Sequence, residues 1–264
     1  MSGARCDASA QWLLLDSVET SLAMRTLRQG FAGVQWFWLF DATEFQSSRE
    51  LGPLLIRLQG CPALSALCQR DPQTWRGLLL QSPAPVEELL GHLRRMLTVS
   101  FGLSHRALLS YYNRQTASYF FDACDARELS RWLGPIEQLQ WFGGTWADRA
   151  IGSEGWQQLR NPRLAVAPLG IEESLSRRQR ERLQSCLLEQ HAYRWSQSIN
   201  VAYPLLWRHV QQGLVLGFTD RSVLDDWLWL RLQHPREVLP PLPEGLTQYE
   251  RLEHLRRHWQ QDHH

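Results

Sequence analysis

The amino-acid sequence predicts an α/β N-terminal lobe, a mixed, mainly parallel sheet with covering helices, followed by an all-α C-terminal lobe, with the lobes spanning 1–150 and 151–264. Three observations predict this. The stretch "VQWFWLFDATEF" (34–45) sets Trp36, Phe37, Trp38, Leu39 and Phe40 in one unbroken apolar run. A half-buried strand alternates, because successive side chains point to opposite faces. A strand apolar on both sides needs helices over both faces, the usual setting of parallel strands, so 36–40 reads as a central strand. Strand, helix and strand across 12–40 also have the layout of a βαβ unit. Beyond the Gly-rich stretch 143–162 the pattern becomes helical.

In chain order, "WLLLD" (12–16) is a short strand. Asp16 and Ser17 can each cap the following helix, and Gly30 closes it. "ELGPLLIRLQG" (50–60) reads as an edge strand or extended segment, because Pro53 cannot donate to a ladder. "WRGLLLQS" (75–82) is a strand. "PVEELLGHLRRMLTV" (85–99) carries a helical stripe at Val86, Leu89, Leu90, Leu93, Met96 and Leu97, with Glu87 and Glu88 at the positive end of the dipole. "RALLSYYN" (106–113) is a strand, "ARELSRWLG" (126–134) a helix, and "IEQLQWF" (136–142) an alternating strand. The stretch 143–162 reads as a connector. Ser176 and Gln179 form a capping box for a long helix to about Asn200. Further helices follow near 204–215, 220–234 and 247–260.

Composition narrows the chemistry. Hydrophobic residues make up 44% of the chain and charged ones 21%, ordinary values for a chain with a real core. The net charge of +1, with acids and bases interspersed, gives no nucleic-acid or membrane footprint. No apolar run reaches the roughly 20 residues that span a bilayer, and "MSGARCDASAQW" lacks a signal core, so the expected location is cytoplasmic. The five cysteines form no Cys-x-x-Cys pair and read as reduced structural thiols. All 28 basic residues are Arg, which excludes a P-loop lysine and any Schiff-base mechanism. No nucleophile elbow or dinucleotide-binding glycine pattern occurs. His254 and His258 stand four apart on a helix but lack the glutamate of a metalloprotease motif, and surface histidines account for them. Helix starts and solvated faces account for Asp122, Asp125, Asp225 and Asp226. No catalytic residue, metal or cofactor is assigned.

Three places are candidates for partner contact. Asp41, Thr43, Glu44 and Phe45 leave the sheet at a strand end, where α/β folds bind ligands, although Asp41 can equally cap a turn. Arg177 and Arg178 open "SRRQRERL" near a helix N-terminus, where positive charge opposes the dipole. A solvated face explains them, and so does an acidic partner. In "TDRSVLDDWLWLRLQHP", Val223, Leu224, Trp227, Leu228 and Leu230 share one helix face, with Leu232 at its margin. Trp229 falls opposite, among Ser222, Asp225, Asp226 and Gln233. It is either a lone surface hydrophobe, a residue packed under "REVLPPLP", or a partner anchor.

The succession "WLLLDS", "WFWLFDATEF", "LGPLLIRL", "WRGLLLQSPAPVEELLGHLRRMLTV", "RALLSYYN" and "WLGPIEQLQWF" resembles the N-terminal lobe of the type VI secretion adaptors, or effector chaperones. "HLRRMLTV" (92–99) and "LGPL" (51–54) are its most specific pieces. The resemblance covers about residues 12–142, and the C-terminal part is similar more loosely. One departure stands out: where the family has Phe-Arg-Phe-Tyr-Asp-Pro, this chain has Leu109, Ser110, Tyr111, Tyr112, Asn113 and Arg114. The resemblance implies a cytoplasmic adaptor, not an enzyme, that binds an effector toxin and a spike protein and helps load one on the other. It implies no nucleic-acid, membrane or small-molecule partner. The alternatives are an immunity protein that binds a toxin, and an α/β enzyme with an unrecognised site.

Overall fold

A computed structural model of the chain describes residues 10–16, 21–101, 105–171 and 173–261. Ser17, Cys6, His263 and His264 lie outside these residues. The strands are β1 (Trp12–Leu15), β2 (Trp36–Trp38), β3 (Leu54–Arg57), β4 (Gly77–Gln81), β5 (Thr98–Phe101), β6 (His105–Leu108), β7 (Gln138–Gly143), β8 (Gly155–Arg160) and β9 (Glu173–Ser174). The helices are α1 (Ser21–Gly30), α2 (Pro62–Arg70), α3 (Val86–Arg95), α4 (Arg114–Asp122), α5 (Ala126–Leu133), α6 (Trp146–Ile151), α7 (Arg177–Ile199), α8 (Tyr203–Val215), α9 (Arg221–Gln233) and α10 (Gln248–Gln261). The chain divides into two compact units, Met1–Cys186 and Leu187–His264.

Six strands of the first unit form one sheet in the order β2-β3-β1-β4-β7-β8, and each pairing is antiparallel. A second sheet, β6-β5-β9, pairs β5 antiparallel to β6 and parallel to β9. The expectation of a mainly parallel sheet is therefore wrong. The apolar strands do reflect burial on both faces. Leu13, Leu15, Trp38, Ile56 and Leu79 pack with Ala23 and Leu27 of α1 and Leu64 and Cys68 of α2. Trp12, Leu14, Leu55, Leu78 and Trp141 face the other way, onto Leu89 and Leu93 of α3, Phe120 of α4 and Trp132 of α5. Two-sided burial demands helices on both faces but leaves strand direction open. The unit β1-α1-β2 does bring its strands back in the same direction, but β3 inserts between them, antiparallel to both. In the same way β1 lies between β3 and β4.

Other expectations change with this order. The 36–40 run is an edge strand of three residues, with Trp36 37% exposed and set edge-on to Trp38, and Leu39 and Phe40 already lie in the turn. The Pro53 segment is internal instead: Pro53 precedes β3, and its carbonyl accepts from Leu39 N at 3.0 Å. The 85–99 helix ends at Arg95, and Thr98 begins β5. Only the first part of 106–113 is strand, and Asn113 caps α4 by accepting from the Gln115 and Thr116 amides. The 143–162 connector contains α6, with a Thr145–Asp148 capping box, and β8, which continues the sheet past residue 150.

In the second unit, α8, α9 and α10 pack around Trp227 and Trp259, whose rings lie 6.1 Å apart and are both fully buried. The Trp227 indole donates to His209 O (2.8 Å) and that of Trp259 to Val238 O (3.1 Å), so both polar tips are satisfied inside the core. Among the described residues no helix is long and apolar enough to cross a membrane.

Candidate partner-binding surfaces

The segments that carry the resemblance pack against one another. Gly52 lies under the Phe40 ring, which a Cβ at this position would meet at 2.4 Å. Arg94 donates to the carbonyls of Leu39 (3.2 Å) and Trp38 (3.4 Å), holding the end of β2 against α3. His92, 3% exposed, donates from Nε2 to Trp132 O at 2.9 Å. That bond fixes the neutral tautomer with its proton on Nε2, and burial lowers the imidazole pKa to about 4. Gly134, at φ +52°, stands so close that an added Cβ would meet the His92 ring at 2.3 Å. "HLRR" (92–95) and the later "LGP" (133–135) are therefore two halves of one packing contact. In the departure from the family pattern, Tyr111 donates its buried hydroxyl to Leu93 O (2.9 Å), and Asn113 bonds Asp16 Oδ2 (3.0 Å).

Beside this contact lies a groove of about 600 Å³ that the sequence reading did not single out. His92, Arg95, Arg131 and, from an extended segment, Leu164, Val166 and Pro168 line it. Arg131 pairs with Glu173 and Arg163 with Glu137. "HLRR" (92–95) and the "LGP" of 133–135 were the available signal, since each contributes residues to its wall.

The loop after β2 is tied inward. Asp41 pairs with Arg49 at 3.3 Å. The Thr43 hydroxyl donates to Phe40 O (2.7 Å) and accepts from Phe45 N (3.1 Å). Glu44 accepts from Thr98 Oγ1 (3.1 Å) and Arg106 (3.3 Å), linking the loop to β5 and β6. Phe45 packs its ring on Phe40, with centroids 5.1 Å apart. A concavity of about 240 Å³ opens beside Thr43, Glu44 and Phe45, bordered by Arg94, Arg95 and Ile171.

At the start of α7 the Ser176–Gln179 capping box is present: Ser176 N donates to Gln179 Oε1 (2.9 Å) and Gln179 N to Ser176 Oγ (3.3 Å). Arg177 pairs with Glu181 one turn on, which raises its pKa through hydrogen bond and charge. Arg178 donates to Asp122 O and Arg182 to Asp122 Oδ2, so these two cations meet the negative end of α4. Asp125 caps α5 in a capping box with Glu128.

In the second unit α9 buries Val223, Leu224, Trp227, Leu228 and Leu230, leaving Trp229 51% exposed. Trp229 does not stand alone: its ring meets Trp195 edge-on at 5.2 Å, and Trp195 meets His191 at 6.2 Å. His191 Nε2 lies 2.6 Å from Asp225 Oδ1. The exposed Asp226 is one turn from Trp229 on the same helix.

The described residues hold no group of three or more His, Cys, Asp or Glu side chains placed for a metal. Cys61, Cys68, Cys124 and Cys186 are free thiols, and burial pushes Cys68 and Cys124 up to about 12, far from the reactive thiolate range. No curated protein and no solved structure matches the chain. Residues 11–131, just under half of the chain, match the family model described as "Domain of unknown function (DUF4123)".

Proposed function

We propose that this chain is a cytoplasmic adaptor that binds a type VI secretion effector and helps load it on the spike protein, acting by binding and not by catalysis. The match over residues 11–131 carries the reading, because it covers most of the segments that resemble the adaptor lobe. The packing of His92 on Gly134 and of Phe40 on Gly52 supports it, since the resembling motifs meet as one structural unit. Trp229 and Trp195 supply the kind of half-exposed aromatic area that anchors a protein partner.

The test is reconstitution of the full chain with an effector and a spike protein encoded beside it. Effector should be recovered on tagged spike only when the chain is present. Equal recovery without the chain overturns the reading. Binding of the toxin alone, with loss of its toxicity and no spike association, assigns the chain to immunity instead.

A further inference from the structure

β8 ends the six-stranded sheet, and its register against β7 is unbroken from Gln138↔Arg160 to Gly143↔Gly155. The direction of its backbone groups follows from bonds just beyond the strand ends. Asp16 N donates to Arg76 O, and Asn161 N donates to Glu137 O, both at 2.9 Å. In an antiparallel ladder the residues that exchange bonds alternate with those that do not. Counting in steps of two along β1, β4 and β7, Leu139 and Trp141 face β8, and Leu159 and Gln157 face back toward them. The N–H and C=O groups of Trp156, Gln158 and Arg160 therefore point off the sheet, and none bonds to backbone there among the described residues.

This edge is unprotected. β8 contains no proline, its register contains no bulge, and Gln157, Gln158 and Arg160 are exposed. Edge strands of this kind are templates for another strand unless they are blunted. The opposite edge, β2, offers only three residues.

We propose that β8 is a strand-addition site that takes an extended segment of the effector, a proposal that rests on the adaptor reading. Main-chain bonds to Trp156, Gln158 and Arg160 supply the affinity, as in other β-augmentation. The side chains set the sequence it accepts. Trp156, half-buried against Phe142 at 5.8 Å, and the cationic Arg160 lie on one face, four residues apart. Across an antiparallel pair they select an aromatic or β-branched residue and, four positions away, an acidic one. On the other face, Gln157 and Leu159 border a concavity of about 270 Å³, with Ser118, Asp148 and Arg182, that receives an intervening side chain.

The test is amide hydrogen exchange on the full chain with and without purified effector, beside binding by two proline variants. In the free chain the amides of Gln157 and Leu159 should be protected and those of Trp156, Gln158 and Arg160 open. Effector should close the open set. Gln158→Pro removes an outward N–H and no ladder bond to β7, so it should melt like the parent and bind at least tenfold more weakly. Leu159→Pro removes an inward bond and should destabilise the fold. Arg160→Glu should weaken binding with no change in melting. If effector binds while the three amides stay open and Gln158→Pro binds normally, strand addition is overturned and the adaptor reading stands. If effector binds nowhere, the adaptor reading fails first. Protection that appears in the chain alone as its concentration rises places a second copy on β8 and overturns the proposal, as does protection by spike alone.

Discussion

The loop 41–45 in the first unit and helix α9 in the second each carry an aromatic residue that the sequence marks for contact, and the structure employs them differently. In the loop, Asp41, Thr43 and Glu44 are all held by internal partners, and Phe45 lies on Phe40. A partner binding there has to replace bonds already made. On α9, Trp229 leaves half its area to solvent and has its other side braced by Trp195. A braced ring loses little freedom on binding, so it offers apolar area at small entropic cost. Exposure of a polar side chain and availability of that side chain are thus separate properties.

The contrast is sharpest between neighbours on α9. Trp227→Ala should remove about 3–5 kcal/mol of stability, because a fully buried indole and its bond to His209 O are lost together. Chemical denaturation of the second unit measures it, and a loss below ~1 kcal/mol contradicts the packing described. Trp229→Ala should leave that transition nearly unmoved.

In the first unit, Gly134→Ala should cost about 3 kcal/mol, since the new Cβ meets the His92 ring in a left-handed backbone conformation. Combining it with His92→Ala should recover part of the loss, and strict additivity of the two changes would count against direct contact.

The same histidine makes stability depend on acidity. The folded unit keeps His92 neutral down to about pH 4, whereas the unfolded chain protonates it near 6.5. Between these values the unfolded state binds more protons, so stability is complete above about 6.5 and declines as pH falls toward 4. At pH 5 the decline should be about 2 kcal/mol. A His92→Asn variant should start lower at neutral pH and lose less on acidification. Equal slopes in parent and variant would assign the effect elsewhere.

Two smaller effects compare the surfaces as contacts. Trp229→Ala should weaken effector binding by about 2 kcal/mol, read by calorimetry on the reconstituted pair. Glu44→Arg breaks an exposed pair with Arg106 and should change stability by under about 1 kcal/mol. If Glu44→Arg with Phe45→Ala weakens binding more than Trp229→Ala, the loop and not α9 is the stronger anchor.

What could be read from the sequence depended on how local the signal was. The buried face of α9 follows from helical period alone, and the Ser176–Gln179 box from two residues three apart. Gly134 marked the end of α5 because its positive φ suits a residue without Cβ. Strand direction could not be read that way. The continuous apolar runs of β1, β2 and β3 record helices on both faces, while direction depends on which distant strand slips between two others. The same limit hid β8, a polar edge strand whose only ladder partner among the described residues is β7. α4 was concealed by the aromatic run that begins with Tyr111 and Tyr112 and continues with Tyr119, Phe120 and Phe121, which looks as much like strand as helix. Among the candidate contacts, residue type located the loop and Trp229. It could not show that the chain's own Asp122 meets both cations, Arg178 through its main-chain carbonyl and Arg182 through its carboxylate.

The place of β1 has a consequence for synthesis. Trp12 pairs on one side with Arg57 and on the other with Leu80, so the first strand made waits for both neighbours. At translation rates of about 5–20 residues per second, roughly 3–14 s separate it from the second of them. Until β3 is made "WLLL" has two open edges, and until β4 is made it keeps one of them open beside two apolar faces. The nascent chain is therefore most prone to aggregate before β4 emerges, and slower translation of residues 16–77 should lower soluble yield without altering the stability of the molecules that finish folding.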